Sequence, residues 1–260
     1  MRSYSSLASR TAARPALVLL LVLSISPKTA GAATDDASWH FMAQPLLWAA
    51  GISGAATFGD HESEVDASFG DILENLDMVL MGRLEARRGR IGFGTDLFWV
   101  NLGVGVGDSE VLDPEADIRQ TLVEGFLFFR LTSWEGSEQN SGFIDVIGGG
   151  RYNSVRARLQ GDEIETDQTN MDWVDAYGGL RAYLPLGARF GLYGYGDVGG
   201  LGSNLAWSAQ ADLGYSFSES FGLLAGYRVY DVEYEDDSGV VPKLLDTNLY
   251  GPAFSAVMRW

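Results

Sequence analysis

The sequence contains no cysteine and only two histidines among its 260 residues. Without cysteine the chain forms neither a disulfide nor a thiolate-ligated metal site. His61 stands between Asp60 and Glu62, but consecutive residues do not converge on one point, and no Ser, His and acid stand at the spacing of a catalytic set. We therefore predict no catalytic residue, no metal site and no cofactor, and we do not expect an enzyme.

Basic residues are scarce as well, with 18 Lys and Arg against 35 Asp and Glu and a formal net charge of −17. A chain this acidic cannot bind nucleic acid by neutralising phosphates, so no nucleic-acid partner is expected. The acids concentrate in the longer segments between predicted strands, such as 52–77 and 236–246. The pattern leaves open whether these loops are simply solvated, bridge divalent cations or attract cationic solutes.

Long hydrophobic runs are missing too. The one continuous apolar stretch, Ala16–Ile25, is shorter than the ~20 residues of a membrane-spanning helix. It follows a leader with three arginines and precedes the small-residue site Ala30-Gly-Ala32, which is typical of a cleaved signal peptide. We predict a signal peptide over residues 1–32 and one domain over 33–260. If this domain lies in a membrane, it must form a closed barrel, because only helices and closed barrels satisfy their backbone groups in lipid.

The end of the chain supports a barrel. From Leu249 to Trp260 the large apolar residues Tyr250, Pro252, Phe254, Ala256, Met258 and Trp260 occupy every second position. Gly251, Ala253, Ser255 and Arg259 occupy the positions between them. One large apolar face and one small or charged face are what a strand in contact with lipid requires.

The same alternation recurs along the chain and predicts an all-β fold, a single antiparallel transmembrane β-barrel of about ten strands, with eight to twelve allowed. The predicted strands are 39–51, 78–88, 91–103, 117–133, 142–157, 172–184, 190–201, 204–217, 221–235 and 247–260. Short and mostly long connections alternate between them, as periplasmic turns and outer loops do, and the exception is the short connection Gly202-Ser203. A soluble barrel of the lipocalin type also alternates but with reversed faces, and it stays open as an alternative.

Charged residues fall on the face that carries the small residues, which we predict to line the interior. The predicted pore-lining residues are Arg83, Glu85, Arg87, Asp96, Glu124, Arg130, Asp145, Arg151, Asp175, Arg181, Asp197, Asp212, Arg228 and Arg259. Two interpretations remain: a ladder of ion pairs that fills the interior, or a narrow water-filled eyelet. Inward glycines such as Gly149, Gly179 and Gly199 would leave room for the eyelet.

The first long loop contains a helical pattern from Ser68 to Leu76. Phe69, Ile72, Leu73 and Leu76 recur at helical spacing, and Ser68 can cap the helix with Asp71 three residues on. A short helix is marginal in isolation, so we expect it to pack as a lid on the barrel rim or as a plug in the lumen.

Several stretches resemble a widespread group of bacterial outer-membrane, porin-like β-barrel proteins. They are Val65–Leu73, Gly149–Tyr152, Gly196–Gly200, Gly226–Arg228 and Tyr250–Pro252, and the closing strand with its terminal Trp260 is similar to that of Gram-negative barrels. The resemblance implies an outer-membrane location, contact with outer-membrane lipid and lipopolysaccharide, and recognition of the last strand by the barrel-assembly machinery. It implies no catalytic residues and no oligomeric state. The leading function hypothesis is a narrow channel for small solutes or ions, and the alternative is a sealed structural or adhesin-like barrel that acts through its acidic loops.

Overall fold

The structure is a computed structural model that describes residues 38–58, 61–74, 76–105, 115–137, 140–161, 164–236 and 243–260. The predicted signal peptide lies outside these residues. In the described part the chain is almost entirely β-strand, and its single helix has six residues. No helix there is both long and apolar enough to cross a membrane.

Twelve strands and one helix make up the described residues. In chain order they are β1 Trp39–Trp48, β2 Gly51–Phe58, β3 His61–Ala67, α1 Phe69–Glu74, β4 Leu76–Arg88, β5 Ile91–Gly105, β6 Glu115–Ser137, β7 Asn140–Gly161, β8 Ile164–Pro185, β9 Phe190–Gly200, β10 Leu205–Ser216, β11 Phe221–Asp236 and β12 Lys243–Arg259.

Ten of these strands close into an antiparallel barrel. The order is β1-β4-β5-β6-β7-β8-β9-β10-β11-β12, and β12 pairs back onto β1, with Met42 opposite Arg259 and Trp48 opposite Ala253. Closure leaves no exposed sheet edge along the paired length, which is the condition for a sheet to cross lipid. The predicted ten-stranded barrel is confirmed.

The predicted faces are confirmed as well. In β12 the side chains of Phe254 and Met258 are exposed on the outside, whereas Ala253 and Val257 are buried inside. Leu80, Leu127 and Leu213 lie exposed on the outside of other strands. A continuous apolar exterior around a barrel with charged residues in its interior fits lipid, so the lipocalin-like arrangement is wrong for this chain.

One hairpin of the structure was not predicted from the sequence. Residues 52–77 were expected to be a loop with one helix, but they also form β2 and β3, which pair with each other and extend the sheet beside β12. β12 therefore pairs with β1 over its second half and with β2 over its first half. The hairpin lacks the apolar face of a lipid-contacting strand, because it continues the sheet above the barrel rim.

Three strands are longer than predicted. β6, β7 and β8 have 23, 22 and 22 residues, about twice the ~9–11 residues that a tilted strand needs to cross lipid. The expected outer loop 158–171 is mostly a continuation of β7 and β8, which pair up to Gly161 and Ile164. Polar residues dominate this part, so the alternation that lipid imposes disappears although the strands continue.

Candidate functional site in the barrel interior

The alternation of each strand turns all fourteen predicted lining residues toward the interior. Nine are buried: Asp96, Glu124, Asp145, Arg151, Asp175, Arg181, Asp197, Asp212 and Arg228. Arg83, Glu85, Arg87 and Arg130 are half-buried, and Arg259 is exposed at the periplasmic mouth. That they line a conducting pore stays a prediction.

Arg151 is the centre of one charged cluster. Its Nε donates to Glu124 Oε1 at 2.7 Å and its Nη2 donates to Asp197 Oδ1 at 2.8 Å, while the guanidinium carbon lies 4.6 Å from the centroid of the Tyr177 ring. Tyr177 also donates to Glu124 Oε2 at 3.1 Å. The arginine and both carboxylates are almost wholly buried, so this pairing is essential to their burial in the interior.

A second cluster crosses the bore. Arg181 on β8 binds Glu85 on β4 through both terminal guanidinium nitrogens, and its Nη2 donates to Oε2 at 2.9 Å. Three strands separate β4 from β8 in the sheet, so the pair spans the interior rather than one strand gap. Asp145 joins the cluster by accepting from Arg181 Nε at 3.0 Å and from Arg130 Nε at 2.8 Å.

Arg83 makes a third connection across the interior. It binds Asp96 on the neighbouring strand through Nε and Nη2, both at 2.6 Å. Its Nη1 also donates to the Tyr193 hydroxyl on β9 at 3.0 Å. These planar, two-point contacts fix the arginines in single orientations.

The other carboxylates are held by polar groups. Asp175 accepts from Trp173 Nε1 at 3.0 Å and from the backbone amide of Ser203 at 2.7 Å, which ties the interior of β8 to the short outer turn before β10. Asp212 accepts from Gln210 Nε2 at 2.7 Å. Among the described residues, no group of three or more His, Asp and Glu is arranged to hold a metal ion.

The outer half of the interior is apolar. A cluster of buried side chains fills it from all sides of the barrel, including Trp48, Met81, Phe98, Val100, Leu122, Met171, Trp173, Val232, Tyr234, Leu245 and Leu249. Trp173 stacks on Tyr234 with ring centroids 4.5 Å apart, and Trp48 meets the edge of Phe98 at 5.7 Å. Sequence reasoning missed this cluster, although the inward parity that selects Asp96 also selects Phe98 and Val100.

The inner half contains a cavity of about 620 Å³ at the periplasmic mouth. It reaches from the exposed residues Ser141 at the start of β7 and Ser220 in the turn before β11 inward to Arg83 and Tyr193. The charged clusters form its floor. The interior therefore has three levels: an open mouth, a charged layer and an apolar layer.

The inward glycines do not leave an open bore, contrary to expectation. A Cβ atom at Gly149 would overlap the Gly125 carbonyl, and one at Gly179 would overlap the Gly196 carbonyl. A Cβ at Gly199 would overlap the Ala176 carbonyl. These positions are glycine because neighbouring backbones approach closely there, and the space is already filled.

The loop helix forms as predicted, but it ends earlier. Ser68 Oγ accepts from the Asp71 amide at 3.3 Å, and Asp71 Oδ2 accepts from the Ser68 amide at 2.9 Å, which is a reciprocal cap. The bond that the Ser68 hydroxyl donates to Asp71 Oδ2 at 2.7 Å, together with the bond from the Ser68 amide, holds the pKa of Asp71 below its usual range. Phe69 and Ile72 are half-buried and the side chain of Leu73 lies outside the described part, while Leu76 is the first residue of β4 and not a helix residue. The helix packs against β2 and β3, and its role as lid or plug stays a prediction.

No protein-family model matches the chain, and no curated protein matches it in sequence. Solved structures do resemble it. Ail, the attachment invasion locus protein of Yersinia pestis, is 10% identical with a TM-score of 0.39, covering 85% of this chain and 98% of Ail. The translocator domain of the autotransporter NalP from Neisseria meningitidis is 14% identical with a TM-score of 0.41, covering 86% and 89%. Neisserial surface protein A is 9% identical with a TM-score of 0.34, covering 85% and 96%.

These similarities are too distant to carry an argument about this chain. The location follows from the barrel itself: a closed antiparallel sheet with an apolar outside and short turns at one end. The chain is an outer-membrane β-barrel protein.

Proposed function

We propose that this chain is a sealed outer-membrane barrel that acts at the cell surface, rather than an open pore. The observation that supports the proposal is the double closure of the bore. Ion pairs cross its middle, and packed apolar side chains fill its outer half.

The charged layer supports closure by its burial and its pairing, although Arg151 Nη1 and Asp212 Oδ1 are buried without a hydrogen-bond partner in the described part of the chain. Arg151, Asp145 and Asp175 are fully buried, and each is engaged by partners on other strands or in the turn before β10. A water-filled eyelet would instead leave such groups hydrated. Ten strands give an interior only slightly wider than the eight-stranded barrels that side chains fill.

The apolar layer adds a second barrier. Leu122, Trp173 and Val232 come from three different strands and are almost inaccessible to solvent. An ion that crossed this layer would lose its hydration without gaining polar partners, which is prohibitive.

A surface role is supported by the strands that continue above the membrane. The outer ends of β6, β7 and β8 rise on one side of the barrel, and the β2–β3 hairpin rises beside β12, which lies four strands away from β6 and from β8 in the closed sheet. Their sequences are rich in acid, with Glu62, Glu64 and Asp66 on β3 and Glu165 and Asp167 on β8. We propose these two acidic projections as the interacting surface for cationic groups.

A narrow channel is the second candidate, and the periplasmic cavity favours it because water already reaches the charged layer from one side. Conduction would require the Trp173–Tyr234 stack to move aside. No catalytic role is included in the proposal, and a screen for lipid and peptide hydrolysis tests that part.

Planar-bilayer recording separates the two candidates. The refolded protein is expected to insert without unitary current steps, while a general porin recorded in parallel gives them. Reproducible steps from the wild-type protein, with an ion selectivity that changes in Asp96→Ala, would overturn the sealed barrel and establish the channel.

A further inference from the structure

The cavity at the periplasmic mouth differs in charge from the rest of the molecule. The whole chain is strongly acidic, yet five arginines line this cavity against two glutamates. The arginines are Arg83, Arg87, Arg130, Arg181 and Arg259. From these observations we infer that the cavity is a binding site for a small organic anion, a carboxylate or phosphate on an apolar or aromatic body, which enters from the periplasm.

The arginines at the floor of the cavity are already paired. Arg83 binds Asp96, while Arg130 and Arg181 share Asp145. These three arginines belong to the charged layer, and their guanidinium groups are held by carboxylates of the barrel rather than available to a ligand.

Arg259 is different. Among the residues that the structure describes, no side-chain carboxylate lies within salt-bridge distance of its guanidinium. It is the exposed member of the inward set and lines the cavity. A guanidinium in a confined, partly apolar space gains more from an anion than one in bulk water, because the local dielectric constant is lower.

Arg87 lies on the other side of β1. The sheet register sets Met42 opposite Arg259 on β12 and His40 opposite Arg87 on β4. Two strand spacings and an offset of two residues along the strands therefore separate the Cα atoms of the two arginines, a distance of about 12 Å. Arg87 Nη1 donates to the Gly89 carbonyl at 2.6 Å, which holds its side chain at the mouth.

Neither of the two glutamates that line the cavity forms a salt bridge with Arg259. Glu85 is bound by both guanidinium nitrogens of Arg181, and Glu219 lies exposed in the turn before β11. The site thus keeps a positive charge at Arg259.

The walls suit an organic body on the anion. Phe128, Phe143 and Tyr183 line the cavity, and Phe143 and Tyr183 stack with centroids 6.1 Å apart. The volume of about 620 Å³ is within the ~300–1,000 Å³ range of small-molecule sites. All lining strands present their inward face, so the ligand is a periplasmic solute and not a lipid headgroup, which would remain on the outer face of the barrel.

Calorimetric titration of the full chain, refolded in an uncharged detergent and a phosphate-free buffer, tests the site. Phenyl phosphate is the probe, and benzyl alcohol and benzylamine are its neutral and cationic counterparts. Phenyl phosphate is expected to bind one equivalent, and the two counterparts are not. Equal binding of all three would overturn the inference, since it would report only detergent or apolar partitioning.

The variant Arg259→Gln should weaken phenyl phosphate binding at least about tenfold, because it removes a charge-assisted hydrogen-bond donor. Arg259→Lys retains the charge without the planar fork and should lose less. Arg189→Gln is the matched control: Arg189 lies in the turn at the same end, is exposed and donates to the Tyr215 hydroxyl at 3.0 Å outside the cavity.

Wild-type affinity in Arg259→Gln, or an equal loss in Arg189→Gln, would contradict a site at this position. Circular dichroism and heat-dependent gel mobility confirm that each variant is folded. The result is independent of the conductance experiment, since the cavity opens to the periplasm whether or not the bore conducts.

Discussion

The inner and outer halves of the barrel interior are closed by different physical means. In the inner half, arginines and carboxylates pair in two-point contacts, as Arg181 and Glu85 do across the bore. In the outer half, Trp173, Tyr234 and their neighbours pack without ion pairs among themselves. Both halves come from the same inward parity of the same strands, so alternation fixes which side chains face inward but not how they close the space.

The difference has an energetic consequence. Buried ion pairs depend on having every partner present, because each unpaired charge keeps its full desolvation cost. Apolar packing loses stability in proportion to the volume removed. The inner half should therefore be sensitive to the identity of single residues, and the outer half to their size.

The largest effect is expected for Arg151→Ala. The change leaves Glu124 and Asp197 buried without their cation, which should lower the free energy of unfolding by about 3–5 kcal/mol. Urea titration of the protein refolded in lipid vesicles measures it. The triple variant Arg151→Met, Glu124→Gln and Asp197→Asn should recover most of the lost stability. A loss below about 1 kcal/mol for Arg151→Ala would contradict the role of Arg151 in pairing the two buried carboxylates.

In the outer half, Leu122→Ala should lower the free energy of unfolding by about 2–4 kcal/mol, because it leaves a cavity in the apolar cluster. Leu213→Ala is its control, since Leu213 is half exposed on the lipid-facing side and its removal leaves no internal cavity. The control should lose about 1 kcal/mol. Equal losses in the same urea titration would indicate that the outer half is not tightly packed.

Gly92→Ala tests the aromatic side chains of the inner half. A Cβ at Gly92 would overlap the Phe128 ring, which lies over this glycine, so a loss of about 1–3 kcal/mol is expected. At Gly194 a Cβ would meet no atom within 4 Å, and Gly194→Ala should be close to neutral. Thermal or urea unfolding of the two variants compares them, and a neutral Gly92→Ala would mean that the ring moves freely.

The smallest effect concerns α1, outside both halves. Bonds from the Ser68 hydroxyl and amide keep the pKa of Asp71 below its ordinary value of about 3.9. A lowered pKa in the folded state means that the cap contributes its full stabilisation at pH values above the ordinary pKa. This stabilisation is lost as the pH falls through the folded-state pKa. Hydrogen exchange of the Ser68 amide should therefore accelerate, relative to its intrinsic rate, only in the acid range. An Asp71→Asn variant should lack this dependence, and an unchanged pH profile in the variant would assign it to another group.

Much of the fold was predictable because lipid imposes a strict rule on each strand. The alternation that places Phe254 outside and Asp212 inside is a local property, and ten strands follow from it. The β2–β3 hairpin obeys no such rule, since it stands above the rim, and it was missed.

The site was predictable only in part. Asp96 and Glu124 could be assigned to the interior by parity, but their partners could not, because the connection of Arg181 to Glu85 depends on how tightly the barrel closes. Parity also assigns Phe98 and Trp173 to the interior, but it does not show that they pack against apolar residues of other strands, because that depends on the register of every strand.

The central claim is that the inner half of the bore is reached by water and the outer half is dry. The chain has no cysteine, so a single introduced cysteine is the only thiol that a reagent can label. Leu224→Cys lies in the periplasmic cavity and Val232→Cys in the apolar cluster, two inward positions on the same strand. Labelling of the folded protein in micelles with a charged, water-soluble thiol reagent should be fast at position 224 and far slower at 232. Comparable rates at the two positions would show that water fills the whole bore and would contradict the account.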